Sequence, residues 1–205
     1  MPQQNHAPDR SDTALILIDV INDFDFPEAE EMIDAAERAA DRIAELKIAA
    51  STHGVPAIYV NDNFGRWQSD FPAQIEHCER RDSRGRNIVR KLKPAADDYF
   101  ILKPMHSGFY ATNLEVLLEY LEVKKLVLTG FAGNICVLFT ANDAYMRRFE
   151  IATPSDCIAS NTQRENDFAL EQMRAVLKAD TRPMAEIARD WMEHSVSMKG
   201  VGPKA

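Results

Sequence analysis

Cysteine is scarce in this sequence, and long apolar runs are missing. Three cysteines in 205 residues are too few, and odd in number, for a disulfide framework. We therefore expect reduced thiols and a cytoplasmic protein. No apolar run approaches the roughly 18–20 residues that span a bilayer. Residues 1–12 also lack the apolar stretch of a secretory signal. The sequence therefore predicts no membrane partner.

Positive charge is also in deficit. The chain has 24 Lys and Arg residues against 32 Asp and Glu residues, a net charge of −8. Phosphate backbones and anionic lipids repel such a chain, so we expect no nucleic-acid partner. One basic cluster interrupts the pattern; it is typical of a solvated face, but it could also attract an anionic substrate or pair with a neighbouring subunit. Its members are Arg80, Arg81, Arg84, Arg86, Arg90, Lys91 and Lys93.

No Ser/Gly-rich linker, internal repeat or low-complexity tract divides the chain. Apolar residues make up 45% and charged residues 27%, which is a globular composition. The chain length fits one hydrophobic core. Residues 1–12 are polar, and residues 196–205 contain two glycines and a proline. We predict a single domain over 13–195, with a flexible arm before it and a flexible tail after it.

Short apolar runs alternate with helical periodicity along this domain. The runs fit strands that are buried on both faces, as in a parallel sheet. The alternation predicts a three-layer α/β/α fold with a mostly parallel, six-stranded sheet. The predicted strands are 14–18, 57–60, 99–102, 125–129, 150–153 and a short one near 182–184. The predicted helices are 28–52, 113–121, 135–148, 164–178 and 185–194, with a further helix near 68–80 in the long segment 61–98.

Polar residues follow several of the predicted strands. Asp19, Asn61, Asp62 and Lys103 come directly after apolar runs, and the turn 130–136 ends at Cys136. In open parallel sheets, ligands bind outside the carboxyl ends of the strands. We therefore expect a carboxylate, an ammonium and a thiol to meet at one edge of the sheet.

Those three groups suit acyl transfer. Cys136 opens a predicted helix, where the N-terminal N–H groups favour a thiolate, and Lys103 favours it further. Asp19 could take the thiol proton as a base, and N–H groups of the 132–136 turn could hold an oxyanion. The alternative is that Cys136 is a small buried hydrophobic residue, as free cysteines often are.

Three separated segments resemble one known family. Residues 15–24 (LILIDVINDF), 103–109 (KPMHSGF) and 130–137 (GFAGNICV), the last followed by 140–144 (TANDA), are similar to the motifs of the isochorismatase-like cysteine hydrolases. The resemblance extends over about residues 12–193. It implies the Rossmann-like fold of that family, a six-stranded parallel sheet covered by helices, and an oligomer, a dimer or tetramer.

The resemblance also implies roles for individual residues. Cys136 is the expected nucleophile, Asp19 the proton shuttle, and Lys103 the ammonium that supports both. Backbone N–H groups of Ala132 and Cys136 are the expected oxyanion donors. Family members commonly carry a cis peptide in this turn, and its counterpart here is the bond between Phe131 and Ala132.

The chain also departs from parts of the family. Zinc-dependent nicotinamidases place an Asp-x-His pair after the second strand, but residues 59–67 (YVNDNFGRW) contain no histidine. We therefore expect no metal and no cofactor. Isochorismatases proper lack the nucleophilic cysteine, so Cys136 indicates hydrolysis of a C–N bond in an amide, carbamoyl compound or ureide. A vinyl-ether hydrolase and a non-catalytic binding or assembly protein remain the alternatives.

Residues on the flanking loops are expected to line a pocket for a small molecule. A packed loop is the alternative for those after the second strand. The set comprises Asn61, Phe64, Trp67, Phe109, Tyr110, Asn134 and Ile135. His106 and Asp23 are interpreted as loop residues; the alternatives are a catalytic role for His106 and an orienting role at the site for Asp23. Cys78 and Cys157 are interpreted as structural thiols.

Overall fold

The computed structural model describes residues 10–65 and 70–199, with side chains described as far as residue 192. The strands are β1 (Thr13–Ile18), β2 (Ala57–Asp62), β3 (Tyr99–Lys103), β4 (Lys125–Phe131), β5 (Glu150–Ala152) and β6 (Ile158–Ala159). The helices are α1 (Ala29–Thr52), α2 (Phe71–Cys78), α3 (Arg86–Lys91), α4 (Leu114–Tyr120), α5 (Leu138–Met146), α6 (Gln163–Ala175) and α7 (Met184–Lys199). A π-helical turn, Gly133–Val137, leads into α5.

The six strands form one sheet in the order β3-β2-β1-β4-β5, with β6 paired to the end of β4. Each of these pairings is parallel. The predicted α/β fold with a parallel, six-stranded sheet is thereby confirmed. The strand predicted near 182–184 is wrong, because the chain there touches the sheet only through an isolated bridge from Asp180 to Ala152. The sixth strand is β6 instead.

The apolar run of β1 is buried on both faces, and its alternate residues pack into two separate hydrophobic cores. Leu15 and Leu17 belong to the core that α1 and α7 cover. Ile16 and Ile18 point to the opposite core, which contains residues of α4, α5 and α6. This period of two, with helices over both faces, is why the strand has no polar side.

The longest helix, α1, forms because its apolar residues recur every three or four positions. Met32, Ala36, Ile43 and Leu46 are all buried against the sheet. Such a stripe faces the core while the charged residues between its members face water. The helix ends before Gly54, whose φ of +70° takes the chain out of the helical conformation.

Where the structure describes it, in 61–65 and 70–98, the segment 61–98 contains two helices rather than one. α2 lies within the predicted 68–80, whereas α3 was not predicted. α3 carries three residues of the basic cluster. Most residues of the cluster pair with acidic residues of the same chain, such as Lys91 with Asp41 at 2.6 Å and Lys93 with Glu79 at 2.9 Å. These pairs favour the interpretation of the cluster as a solvated face.

The structure describes residues beyond both bounds of the predicted domain. Helix α7 continues to Lys199, past the predicted end at 194, because no helix breaker occurs before Gly200. Of the predicted arm, Ser11 is tied by its N–H to the Leu121 carbonyl at 2.8 Å. Residues 1–9 and 200–205 lie outside the described residues. None of the described helices combines the length and apolarity needed to cross a membrane.

Candidate active site

The sheet register brings the carboxyl ends of three strands together. Ile18 at the end of β1 lies between Val60 of β2 and Gly130 of β4. In the pairing of β2 with β3, Asp62 lies opposite Lys103. Residues that follow these positions must therefore share one edge of the sheet, as the sequence predicts.

Asp19 and Lys103 form a buried ion pair at this edge. The Lys103 Nζ lies 2.8 Å from Asp19 Oδ2, and the lysine is fully buried while Asp19 is 6% exposed. The Asp62 N–H donates to Asp19 Oδ1 at 2.7 Å. The Asp62 carboxylate lies 3.8 Å from Lys103 Nζ and is partly exposed. The ammonium therefore sits between two carboxylates.

The sulfur of Cys136 completes the cluster. Its Sγ lies 3.5 Å from Lys103 Nζ, and the thiol is close enough to Asp19 for that carboxylate to raise its pKa. His106 approaches from the solvent side, with its Nδ1 3.8 Å from the sulfur. The three side chains expected to meet thus do so, and the thiol is half-buried rather than walled off.

Burial and charge set the protonation of the pair. Burial raises the pKa of Asp19 above its ordinary value, against the lowering effect of Lys103. Burial by itself lowers the pKa of Lys103, but Asp19, Cys136 and Asp62 outweigh it and raise that pKa. A carboxylate with a raised pKa is a stronger base, and the adjacent ammonium favours its ionised form.

Burial and charge also act on the thiol. Burial and the nearby Asp19 charge raise the pKa of Cys136 to about 12, although Lys103 lowers it. Lys103 lowers the pKa of the thiol, as expected, but this effect is smaller than those of burial and Asp19. Desolvation and a neighbouring carboxylate outweigh the ammonium, so the proton stays on the sulfur until a base removes it.

The turn before Cys136 has a specific backbone path. Gly130 has φ of +113°, and a Cβ there would lie 2.0 Å from the Ile18 carbonyl oxygen, so only glycine fits. The peptide bond between Phe131 and Ala132 is cis, as the family resemblance predicts. The Ala132 carbonyl then accepts from the N–H groups of Ile135 at 3.1 Å and Val137 at 3.2 Å.

The segment after Lys103 is fixed to the helix that carries the thiol. The Thr140 hydroxyl donates to the Cys136 carbonyl at 2.7 Å and accepts from the Gly108 N–H at 3.0 Å. The Ser107 hydroxyl donates to the Asp143 carboxylate. These contacts explain why both segments carry small polar residues, and they connect the segment of Lys103 to that of Cys136.

Two residues predicted to line the pocket are placed elsewhere. Asn61 is fully buried, and its amide binds the backbone of Ile21, donating at 2.7 Å and accepting at 3.1 Å. Phe109 is 5% exposed and packs between Phe149 and the guanidinium of Arg147. Both predictions are wrong because these side chains stabilise the fold: Asn61 supports the loop after β1, and Phe109 belongs to a core.

The other pocket predictions stay open. Phe64 and Tyr110 are exposed at 38% and 60%. Asn134 and Ile135 lie half-buried in the turn beside Cys136. Asn134 Oδ1 is a buried acceptor with no partner among the described residues. Trp67 lies outside the described residues.

His106 and Asp62 also lie beside the site, although neither is among the predicted catalytic or pocket residues. His106 follows Lys103 by three positions, and its ring lies beside Phe139 with the centroids 5.4 Å apart. Asp62 ends β2, and its carboxylate is the second one near the Lys103 ammonium. By contrast, Asp23 pairs with His77 at 2.9 Å, away from the sulfur, which fits its interpretation as a loop residue.

The remaining thiols and possible metal ligands add no second centre. Cys78 and Cys157 are fully buried, and burial raises the pKa of Cys78 to about 12 and that of Cys157 as well. Both fit structural roles. In 10–65 and 70–192, where side chains are described, no group of three His, Cys, Asp or Glu residues is arranged to hold a metal ion.

Comparison with known proteins agrees with the geometry. Residues 13–182 match the model of the isochorismatase domain. The fold and the match define a hydrolase of the α/β type, and the chain belongs to the isochorismatase family.

Three relatives place the chain within that family. It is 45% identical to the uncharacterized isochorismatase family protein YaaI of Bacillus subtilis, over 83% of this chain and 93% of the relative. It is 26% identical to the ureidoacrylate amidohydrolase RutB of Methylorubrum extorquens, over 70% and 68%. The crystal structure of N-carbamoylsarcosine amidase from Thermoplasma acidophilum superposes with a TM-score of 0.64 at 26% identity, over 85% and 97%.

Proposed function

We propose that the protein hydrolyses a C–N bond of a small amide, carbamoyl compound or ureide through a thioester on Cys136. The observation that carries this proposal is the contact set of one sulfur atom. Its Sγ lies 3.5 Å from the Lys103 ammonium, Asp19 is close enough to raise the pKa of the thiol, and these two groups form a buried pair at 2.8 Å. Two of the relatives are named for hydrolysis of ureido or carbamoyl compounds, which supports the bond class.

The first step begins with proton transfer from sulfur. Asp19 accepts the thiol proton while the sulfur attacks the carbonyl carbon, forming a C–S bond and an oxyanion. Because the resting pKa of Cys136 is raised to about 12, attack without a base would use a minute thiolate fraction. A positioned base of this kind contributes about 10²–10⁴-fold to a rate. Lys103 keeps Asp19 ionised beforehand.

The turn before Cys136 offers donors for the oxyanion. In a regular α-helix, the Cys136 N–H would bind the Ala132 carbonyl, but that oxygen accepts from Ile135 and Val137 instead. This arrangement supports the N–H groups of Cys136 and Ala132 as oxyanion donors. Each such donor contributes about 10²–10³-fold.

The second half returns every group to its starting state. Protonated Asp19 gives its proton to the departing nitrogen as the C–N bond breaks, which leaves an acyl thioester and a free amine or ammonia. Water then loses a proton to Asp19 and attacks the thioester. The C–S bond breaks, the acid leaves, and Asp19 returns the proton to the sulfur.

The exposed and half-buried neighbours provide the binding surface. Phe64 and Tyr110 can cover a small planar substrate, and Ile135 offers apolar contact beside the sulfur. Asn134 Oδ1 is a buried acceptor that suits an N–H donor, which amides and ureides carry. We propose these four residues as the described part of the pocket.

A screen for ammonia or amine release tests the function. Purified protein is assayed against primary amides, carbamoyl compounds and ureides, together with Cys136→Ala and Cys136→Ser. We expect turnover of at least one class and a loss of at least about 10³-fold in kcat/KM in both variants. Cys157→Ala, which removes a buried thiol outside the site, is the matched control and should retain activity.

Two results would overturn the proposal. Activity of Cys136→Ala within tenfold of wild type would exclude covalent catalysis. Hydrolysis of an added vinyl ether to a ketone and an alcohol that persists in Cys136→Ser, without amine release from any substrate, would favour the vinyl-ether hydrolase instead.

A further inference from the structure

Two buried polar side chains outside the site contact the backbone of the nucleophile turn. Ser160 follows directly after β6, which pairs with the end of β4, and is 3% exposed. Its Oγ accepts from the Asn134 N–H at 3.1 Å, and its hydroxyl donates to Asn166 Oδ1 at 3.1 Å. Because the single hydroxyl proton is directed at Asn166, the lone pairs of the oxygen stay available to Asn134.

The same two side chains lie directly against Gly133. A Cβ at that position would lie 2.8 Å from Asn166 Oδ1 and 2.9 Å from Ser160 Oγ. The turn therefore closes onto these two oxygens without an intervening side chain. Its path depends on where they stand, as well as on the hydrogen bond from Asn134.

The anchor of this contact is a rigid part of the fold. Asn166 lies in the first turns of α6, whose start is fixed by a reciprocal pair of bonds between Thr162 and Glu165. The Asn166 N–H also bonds to the Thr162 carbonyl at 3.1 Å. A capped helix start loses little order in the folded state, so it can hold a neighbouring turn in place.

We propose that Ser160 and Asn166 are positioning residues that hold the π-helical turn in the geometry in which its N–H groups face the oxyanion and Cys136 faces the substrate carbonyl. The proposal rests on the proposed function for its effect on rate. Its effect on the turn is independent of any substrate. Neither residue touches the sulfur; each acts through the backbone of Gly133 and Asn134.

The test uses Ser160→Ala, Asn166→Leu and Asn166→Asp in the full-length protein. Ser160→Ala removes the acceptor, and Asn166→Leu removes the group that orients it. Asn166→Asp keeps an oxygen acceptor, and its charge lies near a helix N-terminus, where negative charge is tolerated. Ser155→Ala is the control for loss of a hydroxyl, because Ser155 lies in the same segment but does not take part in the contacts of Ser160 and Asn166.

Amide hydrogen exchange of residues 132–137 is the readout that needs no substrate. We expect exchange at least about tenfold faster in Ser160→Ala and Asn166→Leu, and near wild-type exchange in Asn166→Asp and Ser155→Ala. Circular dichroism confirms that each variant is folded. Exchange in Ser160→Ala within twofold of Ser155→Ala would overturn the proposal.

Kinetics on a substrate found by the screen gives the second readout. Misplaced oxyanion donors should lower kcat about 10- to 100-fold, with KM changed less than about threefold, because the binding surface is intact. Equal kcat in Ser160→Ala and wild type would overturn the positioning role. If the wild type hydrolyses no C–N bond, the proposed function fails. The exchange result still decides whether Ser160 and Asn166 hold the turn.

Discussion

Lys103→Met tests the buried ion pair without any knowledge of the substrate. Methionine keeps most of the length and volume of the side chain but removes the ammonium that contacts Asp19 at 2.8 Å. Lys103 is fully buried and Asp19 is 6% exposed, so water screens the interaction little. Removing one partner of such a pair costs about 3–5 kcal/mol, because the other charge stays buried and unpaired.

The sign of the pH dependence follows from Asp19. Burial already raises its pKa, and loss of the Lys103 charge removes the main opposing effect. In Lys103→Met, the folded state therefore binds a proton more tightly than the unfolded state does. The loss of stability should be full above the folded pKa of Asp19 and should shrink as pH falls through it.

Urea unfolding followed by circular dichroism measures the free energy of unfolding of each variant in a double-mutant cycle between Asp19 and Lys103. We expect Asp19→Asn/Lys103→Met to be more stable than the sum of the two single variants predicts, because the double variant buries no unpaired charge. Lys91→Met, which breaks the exposed pair with Asp41, should cost no more than about 1 kcal/mol. A loss below about 1 kcal/mol for Lys103→Met at pH 7, or additive single losses, would refute the reasoning.

Two further perturbations separate chemistry from scaffold. Burial and Asp19 raise the pKa of Cys136 to about 12, so its rate of alkylation by iodoacetamide, followed by peptide mass spectrometry, should rise with pH without a plateau below about pH 10. A rate that levels off near the ordinary thiol pKa of about 8.5 would contradict this. Asn61→Leu leaves the buried N–H and carbonyl of Ile21 unpaired, so we expect a loss of about 2–4 kcal/mol in urea unfolding and no change in KM. The exposed Asn87→Leu should cost less than about 0.5 kcal/mol, and an equal loss in both variants would show that the two bonds to Ile21 do not stabilise the fold.

The architecture was predictable from the sequence because burial on two faces leaves a simple pattern. β1 is an unbroken apolar run, and α1 repeats apolar residues every three or four positions. β6 has only two residues and no such pattern. The chain near Arg182 was mistaken for a strand, although its guanidinium pairs with Asp180 at 2.6 Å and Asp190 at 2.7 Å on the surface.

The three chemical groups of the site were predictable for the same reason. Asp19 and Lys103 are polar residues that end or follow buried strands, and parallel strands end at a common edge. Cys136 follows a glycine-containing turn after β4. The family motifs then added what local patterns do not contain, such as the cis bond before Ala132.

Contacts that depend on distant backbone could not be predicted. Nothing in residues 59–67 shows that the Asn61 amide binds Ile21, 40 positions away. The closeness of His106 to the sulfur depends on the path of its loop, which Thr140 fixes. The protonated state of Cys136 depends on burial balanced against two opposite charges, a sum that residue spacing does not reveal.

Trapping with hydroxylamine tests the covalent step most directly. The assay adds hydroxylamine to the wild-type protein with a substrate found by the amine-release screen and separates the acyl products. A thioester on Cys136 reacts with both water and hydroxylamine. We therefore expect the acyl group to divide between acid and hydroxamate while the rate of amine release is maintained or increased. Acid alone at every hydroxylamine concentration, with amine release unaffected by Cys136→Ser, would contradict nucleophilic attack by this cysteine.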